Sequence, residues 1–380
     1  MRNHRHSADR AGARDFHADA AGIFLPGKGF GTDRMAAGGR KKPTLKTISE
    51  LSGLAVPTVS RALHDAPDIG AETKKRVRRI AREIGYVPNR AGVRLKTGKT
   101  NVISLILSTE HEILNHTARM ISAIAGGLRD TRYHLIVTPY FPAEDPMLPV
   151  RYVVENETAD AVILNQIQPR DPRIRYLLDE GFPFATHGRS DWRDRHSWFD
   201  YDNHAFARLA VERLAARGRR NVMVIAPPLA QNYAQDIKAG VEQAAGAAGI
   251  AARINPDATS DDSTATIAAA TSAYLDRVPQ VDGIVCASTT AAMSVVAALE
   301  MRGRVLGQDV DVVAKEAVRF LTLFRPAILA LSEDVTRAGA FLARAAIRAI
   351  EAPQEAPLQG LEVPGARSFD AGIEIVRPAS

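Results

Sequence analysis

Residues 44–64, TLKTISELSGLAVPTVSRALH, constrain the fold of this chain more than any other stretch. Gly53 stands where a first helix must end, because glycine adopts a left-handed backbone at little cost. Pro57 suits the first turn of a second helix, where its missing N–H is no loss. Apolar residues recur at three- and four-residue steps, the period of one buried helix face: Leu45, Ile48, Leu51, Leu54, Val56, Val59 and Leu63. The pattern therefore predicts two short helices joined by a tight turn.

Two further segments follow in order. An amphipathic stretch, ETKKRVRRIAREI, occupies residues 72–84 and predicts a third helix. Residues 85–107 have the sequence GYVPNRAGVRLKTGKTNVISLIL, which ends in an apolar strand. This arrangement of helices indicates a helix-turn-helix, whose second helix enters a DNA major groove by its N-terminal end.

The ordered motifs of residues 44–107 resemble the DNA-binding module of the lac repressor family of bacterial transcription regulators. The matching pieces are TVSRAL at 58–63, ETKKRV at 72–77, GYVPN at 85–89 and LKTGKT at 95–100, followed by the opening strand. A helix-turn-helix pattern alone is common among helical pairs, whereas this ordered set is specific. The resemblance extends to about residue 351 and is looser after Thr109.

The distribution of charge supports a nucleic-acid module joined to a different kind of domain. Residues 41–100 hold 14 basic and 5 acidic residues, whereas residues 101–380 hold 28 basic and 34 acidic ones. A basic head on an acidic body is typical of a protein that binds DNA through one part only. For the basic residues of the third helix taken alone, a solvated helix face is an equally good explanation: Lys74, Lys75, Arg76, Arg78 and Arg79.

The composition is that of an ordinary soluble protein. The 380 residues allow one small and one or two medium domains, and 46% of them are hydrophobic. No apolar run is long enough to span a bilayer, so no membrane partner is expected. Cys286 is the single cysteine, which excludes an intrachain disulfide and fits a reducing, cytoplasmic location. It follows an apolar strand, which predicts a buried structural thiol.

Residues 1–42 differ from the rest of the chain, because they are rich in His, Arg, Ala and Gly and show no helical or strand period. They are predicted to be a disordered extension. Met35 precedes the point where chains of the resembled family begin, so one explanation is a mis-annotated start with translation from Met35. The other is a basic arm that touches DNA phosphate. The spacing of His4, His6 and His17 matches no ligand pattern, and no metal site or cofactor is predicted.

After residue 100, apolar strands alternate with helices. Strands are predicted at 102–107, 134–138, 161–164, 184–186, 222–225, 283–286, 310–313 and 328–331, and helices at 117–128, 205–216, 234–248, 291–301 and 338–351. This alternation predicts parallel sheets covered on both faces. Eight strands over about 280 residues predict two lobes with a cleft between them.

The resemblance implies the same architecture, a periplasmic-binding-protein-like core in which the chain crosses between the lobes three times. The predicted fold class is therefore an N-terminal all-α helix-turn-helix DNA-binding domain followed by an α/β two-lobed periplasmic-binding-protein-like core. The expected boundaries are residues 1–42 for the extension, 43–88 for the helix-turn-helix domain, 89–100 for a hinge segment and 101–380 for the effector-binding and dimerisation core.

The hinge carries a second indication of DNA binding. Asn89 is expected to cap a short helix, and the resemblance implies that residues 89–96 become helical on DNA and insert Leu95 into the minor groove. Gly92 departs from the family pattern and lowers helix propensity by roughly 1 kcal/mol relative to Ala. Arg94 is expected to contact phosphate. A plain flexible linker is the alternative.

The resemblance places the DNA-reading surface on the second helix, at Val56, Pro57, Thr58, Ser60, Arg61 and His64. Arg61 can bond the O6 and N7 atoms of guanine together, whereas Val56 and Pro57 can make only apolar contacts with bases. Thr58 and Ser60 are expected to bond phosphate, which positions the helix without reading sequence.

The cleft of such a core is expected to bind a small molecule at the carboxyl ends of its strands. The predicted effector-binding residues are Glu110, His116, His187, Arg189, Gln231, Asn232, Tyr233, Ser288, Glu316 and Glu333. Their carboxylates, amides and Arg suit the vicinal hydroxyls of a sugar or sugar derivative. The resemblance points to Glu316 first. In this chain VVAKEA replaces the family's usual VVGFDD, and Glu316 stands where the family usually has an Asp that binds the effector. Ile237 replaces an Arg that often grips the ligand, and Arg189 is expected to supply that cation.

The sequence therefore predicts a sequence-specific DNA-binding transcription regulator, a repressor controlled by a small-molecule effector. The resemblance implies a homodimer on a near-palindromic double-stranded operator, because two-fold protein symmetry requires two-fold DNA symmetry. Residues 352–380 lack the heptads that tetramers of the family need. A sugar-binding receptor and an enzyme on the same core fold are the alternatives. The chain is not expected to be an enzyme, because it has no Ser–His–Asp set, phosphate-cradling Gly-rich loop or metal-ligand spacing.

Overall fold

The computed structural model describes residues 42–86, 94, 98–109, 116–141 and 143–364. These residues form two compact units, one within residues 42–86 and one from residue 94 onward. The predictions for residues 1–41 and for Asn89, Leu95 and Glu110 lie outside the described residues.

The first unit consists of three helices, α1 (Leu45–Ser52), α2 (Val56–Leu63) and α3 (Ala71–Glu83). Thr44 caps α1 by accepting the backbone N–H of Thr47, and the Thr47 hydroxyl accepts the N–H of Thr44 in return. Gly53 then turns the chain with a φ of 67°. Pro57 lies in the first turn of α2, where no intrahelical donor is lost. The predicted helix-turn-helix is confirmed.

The core of this unit is small and takes residues from all three helices. Ile48, Val59 and Val77 are fully buried at its centre. Two residues that were expected on the buried face, Leu51 and Val56, are instead 56% and 38% exposed. Each lies on a helix of only 8 residues, and such a helix buries a single row of side chains in a three-helix unit.

The second unit alternates strands and helices. Its strands are β1 (Val102–Ser108), β2 (His134–Tyr140), β3 (Ala161–Leu164), β4 (Phe184–His187), β5 (Ser197–Tyr201), β6 (Asn221–Ile225), β7 (Ala251–Ile254), β8 (Gly283–Cys286), β9 (Asp311–Glu316), β10 (Leu329–Ser332) and β11 (Gln359–Glu362). Its helices are α4 (His116–Gly127), α5 (Met147–Glu155), α6 (Pro172–Asp179), α7 (Asn203–Ala216), α8 (Asn232–Ala248), α9 (Thr264–Arg277), α10 (Thr289–Met301), α11 (Leu321–Phe324) and α12 (Val335–Glu351).

Two parallel sheets divide this unit into two lobes. Lobe 1 has the strand order β11–β5–β4–β3–β1–β2, and lobe 2 has the order β10–β9–β8–β6–β7. The chain enters lobe 2 between β5 and α7 and returns to lobe 1 between β10 and α12, which packs on the first sheet. The third crossing that the resemblance implies is not within the described residues.

All eight predicted strands and all five predicted helices of the core are present, with ends shifted by no more than three residues. Strands β5, β7 and β11 were missed. Strand β5, SWFDY, is buried throughout, but its Ser and Asp interrupt the apolar run that would have revealed it. Strands β7 and β11 are short edge strands with alternating exposure, so they bury too few apolar residues to give a signal.

Helices α7 and α8 of lobe 2 pack at close range because Gly240 has no side chain. A Cβ on Gly240 would overlap the backbone oxygen of His204 and lie 3.1 Å from the Cβ of Ala207. Gly246, in the same helix, is exposed, and a Cβ there would meet no atom within 4 Å.

We expect Gly240→Ala to lower the free energy of unfolding by roughly 1–3 kcal/mol, because the two helices must separate to accommodate a methyl group. Gly246→Ala should instead raise it by about 0.5–1 kcal/mol, because alanine has the higher helix propensity. Urea titration followed by circular dichroism compares both variants with the parent. Equal effects of the two substitutions would contradict close packing at Gly240.

Candidate functional site

A polar cleft lies between the two lobes, at the carboxyl ends of the parallel strands. It is lined by Ser108, His116, Thr117, Asn165, Gln166, His187, Gly188, Asp200, Asn203, Tyr233, Ser260, Asp261, Ala287, Ser288, Thr289, Lys315, Ala317 and Glu333. Most of these residues carry hydroxyl, amide, imidazole or charged groups. The cleft is therefore suited to a ligand that offers many hydrogen-bonding groups.

Glu333 is the centre of a charged cluster in this cleft. It follows β10, at the point where the chain returns to lobe 1, and its side chain is 3% exposed. Its Oε1 lies 3.3 Å from His116 Nε2 and 3.7 Å from His187 Nε2, and its Oε2 lies 3.1 Å from Lys315 Nζ. His116 begins α4, His187 ends β4 and Lys315 lies in β9, so both lobes contribute to the cluster.

The cluster determines the protonation states of its members. Burial would raise the pKa of Glu333, but Lys315 and His116 together hold that pKa well below its usual range. Burial lowers the pKa of His187 to about 4, and the nearby charge of His116 acts in the same direction. At neutral pH the Glu333 carboxylate is therefore ionised and the His187 imidazole is neutral.

Lys315 is held in place by several contacts besides Glu333. Its ammonium donates to Asn203 Oδ1 at 3.1 Å. It also lies 5.3 Å from the ring centroid of Tyr201 and 5.8 Å from that of Tyr233. The hydrogen bond and the two cation–π contacts fix one positive charge inside the cleft.

Arg189 binds two carboxylates beside the cleft and does not belong to its lining. Its Nε donates to Asp200 at 2.7 Å, and its Nη2 donates to Asp236 at 2.9 Å. Burial raises the pKa of Asp200 to about 6, against the lowering effect of the Arg189 charge. Arg189 therefore links β5 of lobe 1 to α8 of lobe 2, and its contact with an effector stays a prediction.

Five of the predicted effector-binding residues line the cleft, namely His116, His187, Tyr233, Ser288 and Glu333. Of the others, Arg189, Gln231, Asn232 and Glu316 are described and lie outside the lining. Gln231 and Asn232 begin α8, and the backbone N–H of Asn232 donates to the oxygen of Ile167 in lobe 1 at 2.7 Å. Asn232 thus joins the lobes through its backbone, and the side chains of both residues lie outside the lining of the cleft.

Glu316, the first choice for effector binding, binds the backbone instead. Its buried Oε2 accepts the N–H of Phe320 at 3.2 Å and that of Leu321 at 3.0 Å, at the start of α11. Successive residues of a strand point to opposite sides, so the cleft receives the neighbouring Lys315 and Ala317. The strand thus directs Lys315 toward the cleft and Glu316 toward the backbone of α11, and effector binding by Glu316 stays a prediction.

Several residues of the lining were not predicted from the sequence, among them Asp200, Asn203, Asp261 and Lys315. Asp200 and Asn203 lie at the end of β5 and just after it, and Asp261 follows β7, so the unrecognised strands concealed them. Asp261 Oδ2 approaches Nε2 of Gln166 in lobe 1 at 3.5 Å. For Lys315 a signal exists, because a Lys interrupts the otherwise apolar strand VVAKEA near its carboxyl end.

Among the residues that were predicted to contact DNA, Pro57, Arg61 and His64 recur at steps of four and three residues, which places these three on one side of α2 and its C-cap. Val56, Pro57, Arg61 and His64 are exposed, and Thr58 and Ser60 are half-buried.

Two of the predicted DNA-contacting cations have protein partners in the structure. The Arg61 side chain is 53% exposed and forms an ion pair with Asp68. Arg94 donates to the backbone oxygen of Asn156 at 3.0 Å.

The chain matches known families over both units. Residues 44–89 match the model of the bacterial regulatory proteins of the lacI family, and residues 117–338 match that of the periplasmic binding proteins and sugar binding domain of the LacI family. The chain is 30% identical to the HTH-type transcriptional regulator AglR of Rhizobium meliloti (strain 1021), over 83% of this chain and 90% of that protein. It is 27% identical to the HTH-type transcriptional regulator CelR of Thermobifida fusca, over 84% of this chain and 95% of that protein.

Solved structures share the fold. A lac repressor dimer bound to operator and the anti-inducer ONPF superposes with a TM-score of 0.72 at 20% identity, over 86% of this chain and 97% of that one. A complex of the transcriptional regulator CelR with cellobiose superposes with a TM-score of 0.62 at 23% identity, over 85% of this chain and 98% of that one.

A helix-turn-helix unit followed by a two-lobed, periplasmic-binding-protein-like core defines a class of DNA-binding transcription regulators, and the predicted fold class is confirmed. The chain belongs to the LacI family of bacterial regulatory proteins. Within the part of the chain that the structure describes, no helix is both long and apolar enough to cross a membrane.

Replacing Glu316 should change stability. Glu316→Ala deprives the N–H groups of Phe320 and Leu321 of their acceptor, at a cost of roughly 1–3 kcal/mol in the free energy of unfolding. Glu212→Ala, which removes an exposed ion pair with Arg208 on α7, should cost less than about 0.5 kcal/mol and serves as the control. Urea unfolding measures both. If Glu316→Ala leaves stability unchanged but abolishes ligand binding, the stabilising role is contradicted and the predicted role in effector binding is supported.

Proposed function

We propose that this regulator is a cytoplasmic repressor that binds a near-palindromic operator as a homodimer and changes its operator affinity when a sugar or sugar derivative binds in the cleft. The observation that carries the proposal is the polar cleft, to which both lobes contribute charged and amide groups. The proposed domains are residues 43–88 for DNA binding, 89–100 for the hinge, and 101–380 for effector binding and dimerisation.

The cleft offers matched donors and acceptors for hydroxyl groups. Asp261 of lobe 2 and Gln166 of lobe 1 face each other, with 3.5 Å between Oδ2 and Nε2. A ligand hydroxyl that approaches both groups from the open cleft would donate to the carboxylate and accept from the amide, which uses both of its hydrogen-bonding functions. Hydrogen bonds to a carboxylate are stronger than those between neutral groups, so Asp261 would contribute much of the affinity.

The similar proteins support a sugar ligand and a dimer. The family model that the core matches describes a sugar binding domain, and the CelR structure is a complex with cellobiose. The lac repressor structure is a dimer bound to operator. These are properties of the other proteins, and they extend to this chain as part of the proposal.

Control of DNA binding requires a ligand that prefers one arrangement of the lobes over another. A tenfold change in operator affinity needs about 1.4 kcal/mol of differential binding, which one charge-assisted hydrogen bond can supply. The coupling must be reciprocal, so operator DNA changes the affinity for the sugar by the same factor.

A gel shift on the DNA upstream of the protein's own gene neighbourhood, with and without candidate sugars, tests the proposed function. A specific shift whose midpoint depends on one sugar supports it. Failure to prefer any upstream fragment over random DNA at physiological salt would contradict a regulator and favour a solute receptor on the same core fold.

Arg61 is expected to read a base. Arg61→Ala should weaken operator binding by roughly 1–3 kcal/mol and relax the preference at one base pair. Arg79→Ala on α3, which removes an exposed cation paired with Glu83, should leave base preference unchanged. Fluorescence anisotropy on the operator and its single-base variants gives both quantities. A uniform loss across all sequences would identify Arg61 as a phosphate contact.

Asp261 is expected to hold the effector. Asp261→Asn should retain the operator affinity of the ligand-free protein and weaken sugar binding by about 1.5–3 kcal/mol, because a charged acceptor is lost. Asp276→Asn on α9, where the carboxylate pairs with Arg302 on the surface, is the matched control and should bind the sugar normally. Calorimetric titration measures the affinities. Equal sugar affinity in the two variants would place the effector elsewhere in the cleft.

A further inference from the structure

Three side chains of the cleft bring metal-ligating atoms together. His116, His187 and Glu333 each have one ligand atom within 4.8 Å of those of the other two. Oε1 of Glu333 lies 3.3 Å from His116 Nε2 and 3.7 Å from His187 Nε2. The three positions are far apart in the sequence, which is why no ligand spacing indicated a metal site.

We propose that His116, His187 and Glu333 bind a divalent transition-metal ion of the Zn²⁺ type inside the cleft. Binding of the ion does not depend on the proposed function. Its role as part of the effector site rests on that function, because the ion would occupy the cleft in which the sugar is proposed to bind.

The distances between the three groups fit a bound ion. Ligands of tetrahedral Zn²⁺ lie about 2.0–2.2 Å from the metal, which places neighbouring ligand atoms about 3.4 Å apart. The two separations from Glu333 Oε1, 3.3 Å and 3.7 Å, agree with this spacing to within a few tenths of an ångström. The third separation, between the ligand nitrogens of His116 and His187, is within 4.8 Å, and a side-chain rotation that shortens it would complete the coordination.

The chemical types of the ligands fit as well. Two imidazoles and one carboxylate form a ligand set of zinc sites that keep an open fourth position. Imidazole nitrogen also favours Co²⁺, Ni²⁺ and Zn²⁺ over Mg²⁺ and Ca²⁺, which prefer oxygen. Because all three ligands line the cleft, the fourth position is accessible to water or to a hydroxyl of a bound molecule.

An unsatisfied nitrogen is the second observation that indicates a ligand. The Nε2 atom of His187 is buried and has no hydrogen-bond partner among the residues that the structure describes. Buried polar atoms are almost always paired, so such an atom needs an explanation. A metal ion between His187 and Glu333 would occupy the lone pair of this nitrogen.

Lys315 supports the carboxylate from outside the metal site. Its ammonium binds Oε2 of Glu333 at 3.1 Å and leaves Oε1 directed at the two histidines. Metal-binding carboxylates commonly have such an outer hydrogen bond, which fixes their orientation. The competing explanation is an ion pair of His116 and Glu333, with Lys315 as a second cation and no metal.

The test is calorimetric titration of Zn²⁺ into chelator-treated full-length protein, without DNA or sugar. The chain has 10 histidines, so the comparison between variants decides the outcome, and the total stoichiometry does not. Wild type should bind one more equivalent than His187→Ala and His116→Ala. His134→Ala, which removes an exposed histidine at the start of β2, should bind as wild type does. Equal numbers of equivalents in wild type and both cleft variants would refute the site and support the ion pair.

Two further measurements, the Co²⁺ absorption spectrum and the melting temperature, distinguish the loss of a metal site from misfolding of a variant. Co²⁺ should give intense visible absorption, typical of tetrahedral coordination, in wild type and His134→Ala, and lose it in Glu333→Gln, which keeps the shape of the side chain. Zn²⁺ should raise the melting temperature of wild type more than that of a cleft variant that melts cooperatively without metal, because an ion that binds only the folded state stabilises it. Identical Co²⁺ spectra in all variants would overturn the proposal.

The metal site and the proposed function can fail separately. If the variants bind as many equivalents as wild type while a sugar still shifts the operator complex, the metal site is refuted and the regulator stands. If the metal equivalent is lost in the variants while no sugar changes operator binding, the metal site stands and the sugar-controlled regulator is refuted.

Discussion

The buried carboxylate of Glu333 is the constraint on which the arrangement of the two-lobed core depends. An ionised group inside a protein is tolerated only when it is paired and hydrogen-bonded. Lys315 of lobe 2 and His116 of lobe 1 provide that pairing at 3.1 Å and 3.3 Å, and Glu333 itself lies where the chain returns from one lobe to the other. The relative position of the lobes at the cleft is therefore tied to the charge balance of one side chain. Any ligand that binds there must either preserve that balance or replace it.

Further contacts between the lobes are polar as well. Arg189 joins Asp200 to Asp236, and the backbone N–H of Asn232 donates to the oxygen of Ile167. Polar groups at such an interface can exchange their partners for water at little net cost, whereas apolar surface cannot. A ligand that takes over some of these bonds can therefore change the relative position of the lobes without disrupting their cores. This property is what ligand control of DNA binding requires.

Much of the fold could be predicted from the sequence because it depends on local rules. Gly53 and Pro57 mark a helix end and a helix start through backbone conformation alone. The strands and helices of the core appear as apolar runs and helical periods, so eight strands were placed within three residues of their positions. The same reasoning failed at β5, where Asp200 interrupts the apolar run in order to meet Arg189, a partner 11 positions away whose closeness no local pattern reveals.

The sequence by itself determined the helix-turn-helix unit and the two-lobed α/β core, because turns and periodicities are properties of neighbouring residues. Only the tertiary structure decided which side chains line the cleft. Glu316 and Lys315 are adjacent, yet the alternation of a strand turns one toward the backbone of α11 and the other toward the cleft. His116 and Glu333 are 217 positions apart, and they meet because two separate sheets bring the carboxyl ends of their strands to one place. Contacts of that range follow from packing and leave no pattern along the chain.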